Sequence, residues 1–92
     1  MRREEIIALV DSMIRILSGY GQADHVDWLG ARRRVLSDPT ASNDALEATI
    51  EELHSIVLGM GGLMDLSLEG PSADGDRKEL DELANRLYEL TR

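Results

Sequence analysis

From residue 3 to residue 18 apolar side chains recur three and four positions apart. Ile6, Ile7, Val10, Met13, Ile14 and Leu17 share one face, with Arg15 opposite, which is the signature of an amphipathic helix. The run Ser18, Gly19, Tyr20, Gly21, Gln22 then sets two glycines where a helix must stop and the chain must turn. A second helical stretch begins near Asp24 and ends near Leu36, ahead of Ser37, Asp38 and Pro39. Its stripe is Trp28, Leu29, Val35 and Leu36, but Arg32 falls at the centre and Gly30 weakens the helix. An arginine there must carry its head group outward along its aliphatic stem or meet a carboxylate, and Asp65 is one candidate partner.

Beyond a loop over residues 37–43, Leu46, Ile50, Leu53 and Val57 make a clean apolar stripe through residue 57. Asp44 and Glu47 have the spacing of a capping box at its start, and Asn43 and Ser42 are the alternative caps. Asp44, Glu47 and Glu51 lie three and four apart on one flank and form an acidic ridge. A fourth helix follows the loop over residues 69–75, with Asp76 and Glu79 again at capping-box spacing, and buries Leu80, Leu83, Ala84, Leu87 and Leu90. Mixed charges cover its outer side.

Between these last two helices the pattern changes. Gly59 stands where a helix ending at residue 57 or 58 wants a left-handed residue, and Gly61 and Gly62 permit a tight reversal. Met64, Leu66 and Leu68 then alternate with Asp65, Ser67 and Glu69, the period of an extended strand. A lone strand leaves backbone groups to be met by water, side chains or another chain. The segment therefore lies as a strap over the helices, the simpler arrangement, or offers an edge to a partner. The whole pattern predicts one all-α domain over residues 1–92, a compact four-helix bundle with an extended or short strand-like segment between the third and fourth helices.

A chain of 92 residues buries only roughly 60 to 65 per cent of its unfolded surface. With one Trp, two Tyr and no Phe, its interior must be filled by Leu, Ile, Val and Met. The absence of cysteine excludes disulfides and thiolate metal sites, and points to a reducing, cytoplasmic setting. Two arginines precede the first apolar run, but acidic residues, Asp11 and Arg15 interrupt it, so neither a signal peptide nor a membrane span fits. The net charge of −8 is uneven. Residues 1–42 balance six acidic against six basic side chains, whereas residues 43–69 carry Asp44, Glu47, Glu51, Glu52, Asp65 and Glu69 with no Lys or Arg. Such a field repels nucleic acid and anionic membranes and attracts basic proteins; its plainer use is solubility.

No catalytic or cofactor pattern emerges. The glycines of residues 59–62 lack the Lys and Ser or Thr of a phosphate-binding loop and follow a helix rather than a strand. His25 and Asp27 occupy two faces of a helix, and Glu51 with His54 gives only one of the two Glu-x-x-His pairs a two-metal bundle uses. Both histidines read as surface or edge-of-core residues. The serines lack a glycine-flanked elbow, and the basic run of residues 32–34 ends a helix, where cations complement the dipole. The expectation is a non-enzyme with neither metal nor cofactor.

The stretch LGMGGLMDLSL, through Gly59, Met60, Gly61, Gly62, Leu63, Asp65 and Leu66, resembles a motif of a family of small bacterial helical proteins of unassigned function. The closing LANRLYELTR is similar in type, so the resemblance covers the C-terminal half. Met64 stands where that family commonly has Asn, which removes an amide beside the Asp65 carboxylate. Family members look like the small acidic proteins encoded beside bacterial toxins, and the resemblance implies an immunity role. The residues themselves suit the same role, since an acidic helical domain without an active site can occlude a basic cleft by charge-steered association. Asp44, Glu47, Glu51, His54, Asp65 and Glu69 are the expected partner contacts, with Trp28 as anchor or core filler and Gly59, Gly61 and Gly62 as the structural turn. The alternatives are a self-associating helical adaptor or regulatory subunit and, third, a metal-binding enzyme subunit.

Overall fold

The computed structural model describes residues 3–58, 68 and 70–91. They form four helices, α1 (Arg3–Ser18), α2 (Ala23–Ser37), α3 (Asn43–Leu58) and α4 (Ala73–Thr91), and no strand among the described residues. The chain is all-α, as the periodicities predict. Each helix packs on two others: α1 and α3 both contact α2 and α4 and lie across the diagonal from each other. The body measures 42 × 22 × 22 Å, a cross-section of about two helix diameters, as a two-by-two bundle requires. Four-residue and five-residue connections make α1, α2 and α3 successive antiparallel neighbours.

The core joins Ile6, Leu9, Val10, Met13 and Leu17 of α1 to Leu29 and Leu36 of α2, Leu46 and Leu53 of α3, and Leu80, Ala84 and Leu87 of α4. Leu9 and Ile16 are buried, whereas Ile7 and Ile14 of the expected stripe are only half-buried. The difference follows from α1 having two neighbours, since serving α2 and α4 together turns and widens its buried arc. In α2 only Leu29 and Leu36 are fully buried, and Trp28 and Val35 pack at the margin. Thr49 is a buried polar residue of α3 whose hydroxyl donates to the Ala45 carbonyl at 2.8 Å, which satisfies it locally.

The helix ends are tied by specific groups. Gly21, at φ 68°, makes the left-handed turn after α1. Arg3 donates from Nε to the Leu36 carbonyl and from an Nη to the Asp38 carbonyl at 2.9 Å, so the start of α1 satisfies the orphan acceptors at the end of α2. Of the caps open to α3, Ser42 serves: its Oγ accepts from the Ala45 amide at 3.1 Å. Helix α4 opens at Ala73, one turn before Asp76, out of a turn in which the Ala73 amide donates to the Gly70 carbonyl at 3.1 Å. Asp76 is therefore not a cap; its carboxylate accepts from the Tyr20 hydroxyl instead and joins the end of α1 to the start of α4. Gly59, Gly61, Gly62, Asp65 and Glu69, and the strand-like reading of residues 64–67, lie outside the described residues. Leu68 is half-buried against the core.

Candidate partner-binding site

The acidic ridge is built by α3. With Leu46 and Leu53 fixed in the core, the helical period turns Asp44, Glu47 and Glu51 away from it, and all three are exposed. None of them meets a basic side chain among the described residues. Acids elsewhere do: Asp11 is bonded by Arg33, with its second oxygen at 3.3 Å, Glu79 lies 3.8 Å from Arg15, and Asp81 lies 3.2 Å from Arg77. The ridge is thus a local surplus of negative charge on one helix, beside regions where charge is compensated.

Next to it, α2 and α3 leave a shallow groove of about 610 Å³ lined by Trp28, Ala48, Glu51, Glu52 and Ser55. Trp28 and Ala48 give it an apolar side, and the two glutamates give it an acidic lip. Glu51 belongs to both features, so groove and ridge are continuous. Asp24, exposed one turn before Trp28, extends the acidic character onto α2.

Arg32, beside the groove, sets the position of two of its lining residues, Trp28 and Glu52. Its Nε and an Nη both donate to Oε2 of Glu52, at 2.8 and 2.5 Å, and its guanidinium carbon lies 4.2 Å from the Trp28 ring centroid. The arginine at the centre of the α2 stripe thus has a carboxylate partner in Glu52 of α3; Asp65, the partner the sequence offered, lies outside the described residues. With side chains 27% and 46% exposed, the pair is solvent-screened and contributes little to stability. Its effect is positional: it holds the guanidinium over Trp28, fixing the indole at the groove edge. Both bonds go to Oε2, so Oε1 of Glu52 takes no part in them.

The expected contact residues do not all share this face in the same way. Trp28 and Glu51 line the groove, while Asp44 and Glu47 continue the ridge along α3. His54 is half-buried and turned to α4, where its ring stacks on Tyr88 at 4.7 Å between centroids. The Thr91 hydroxyl gives its proton to the Leu87 carbonyl at 2.7 Å, which leaves it to accept from His54 Nδ1–H at 2.8 Å. His54 therefore ties α3 to α4. Sequence reading missed Ala48, Ser55 and the placement of Glu52, since each needs the α2–α3 register, which no single helix encodes. The available signal was Arg32, whose mid-stripe position demanded a carboxylate across an interface.

A second depression, of about 410 Å³, lies where α1 ends and α4 begins, among Arg15, Tyr20, Pro71, Asp76 and Glu79. Its polar groups serve each other. Accepting from Tyr20 raises that phenol's pKa above 10.0, first through the hydrogen bond to Asp76, then through burial and the negative charge of Asp76. Among the described residues no three His, Asp or Glu side chains gather as a metal would need, and no helix is long and apolar enough to cross a membrane. No protein-family model matches the chain, and no curated protein or solved structure shows significant similarity to it.

Proposed function

We infer that the chain is an immunity-type inhibitor, which binds a basic bacterial toxin domain and blocks its active-site cleft with the α2–α3 face. The observation that carries this reading is the run of Asp44, Glu47 and Glu51, exposed and met by no basic side chain among the described residues, against a groove lined by Trp28. Charge of one sign on a rigid helix raises the encounter rate with a cationic surface, and an indole beside it supplies the apolar anchor that such interfaces concentrate their affinity on. A second copy of the chain is a poor occupant, because pairing two such faces sets like charges together in a molecule already at −8.

The reading assigns no chemistry to the chain itself; inhibition comes from occupying a cleft whose catalytic residues are the partner's. The test is genetic and direct. A toxin encoded beside this chain should kill cells when expressed alone and spare them when co-expressed with it, and the doubly reversed variant Glu47→Lys/Glu51→Lys should lose protection at equal protein level. Protection retained by that variant would refute the face, and an adjoining gene product that this chain neither binds nor neutralises would refute the role.

A further inference from the structure

We propose that the groove between α2 and α3 is a receptor for a single arginine side chain of the partner, a proposal that rests on the inhibitor reading and names what its central contact recognises. Three features of the groove fit that side chain. Trp28 and Ala48 offer apolar surface along which an aliphatic stem can lie. The lip carries two carboxylates from consecutive residues: Glu51, which no basic residue meets among the described residues, and Glu52, whose Oε1 is not engaged by Arg32. A guanidinium presents five donors in a planar fork, which lets one group address both acceptors, whereas an ammonium is a compact, strongly hydrated point charge. The chain's own Arg32 already shows this chemistry next door, packed on the Trp28 ring and bonded to Glu52. The incoming arginine would sit across the lip from it, with Glu51 supplying the charge that Arg32 leaves unbalanced.

The groove carries its own reporter, because Trp28 is the only tryptophan in the chain. The probe is a hexa-arginine peptide titrated into the full-length protein at low ionic strength, with Trp28 fluorescence and backbone amide shifts as readouts. The expected result is a saturable change in emission, with shifts centred on Ala48, Glu51 and Ser55 and weaker binding of hexalysine. Ala48→Met fills the groove without altering charge at an exposed helical site and should weaken binding by about tenfold, as should Glu51→Gln, while Glu4→Gln on α1 should leave it unchanged. Undiminished binding to a folded Ala48→Met or Glu51→Gln protein, or an equal response to hexalysine, would overturn the proposal. Shifts confined to Asp44 and Glu47 would overturn it too but leave the acidic docking face in place; that broader reading stands or falls on the co-expression test.

Discussion

The Tyr20–Asp76 hydrogen bond ties the end of α1 to the start of α4, beside the core packing and the Arg15–Glu79 pair that also join the two helices. The phenol's pKa is raised in the folded state, so its contribution to stability is complete below pH 10.0, the ordinary value, and is lost as the pH climbs through the higher folded-state value. The thermal midpoint should accordingly fall more steeply above that pH in the parent than in Tyr20→Phe, as differential scanning fluorimetry across alkaline pH can measure; parallel curves would show that the bond contributes nothing. Asp38 has the opposite sign. Bonds from the Thr40 hydroxyl and amide, at 2.7 and 2.8 Å, lower its pKa, so its contribution is present above about pH 3.8 and is lost on acidification through the lower folded-state value. In the core, Leu53 is fully buried at the contact of α3 with the rest of the bundle, and Leu53→Ala should cost about 2 to 5 kcal/mol by urea denaturation. Residue-scale features such as these were only partly legible in the sequence. Burial of Leu53 follows from spacing, but the Tyr20–Asp76 and Arg32–Glu52 pairs join residues 56 and 20 positions apart and depend on how helices are set against one another.

At the scale of elements, legibility tracked the strength of the apolar stripe. Helix α1 begins and ends where its periodicity says, and α3 starts at one of the caps its sequence offered. Helix α2 is the weak member, with two fully buried side chains, an arginine in mid-stripe and Gly30 in its interior. A Cβ added at Gly30 would meet nothing within 4 Å. Gly30→Ala should therefore stabilise the protein by roughly 0.5 to 1 kcal/mol, through the lower entropy of the unfolded chain and better helix propensity. A loss of stability in that variant would mean the glycine is there for close approach rather than by tolerance. The capping-box spacing of Asp76 and Glu79 points to a start of α4 one turn later than Ala73, whereas the structure uses Asp76 for Tyr20. A local motif was outcompeted by a tertiary contact, which is the ordinary way such signatures fail.

For the molecule as a whole, the sequence yields the magnitude of the charge and only the fold gives its arrangement. The count of acids between residues 43 and 69 treats Glu52 like its neighbours, yet Arg32 compensates it, and what no basic side chain among the described residues meets on α3 is the shorter set Asp44, Glu47 and Glu51. That set faces outward beside Trp28, and the inhibitor reading places the partner there. Screening makes the idea quantitative, since steering by exposed charges weakens as the Debye length contracts from about 30 Å at 0.01 M salt to about 8 Å at 0.15 M. The most direct measurement is the association rate constant, by stopped flow at low salt, between this chain and the toxin domain that the inhibitor reading expects to be encoded beside it. The account predicts that Glu47→Lys/Glu51→Lys slows association by about tenfold or more, that added salt narrows the gap, and that dissociation changes less. An association rate equal to the parent's at low salt would contradict it.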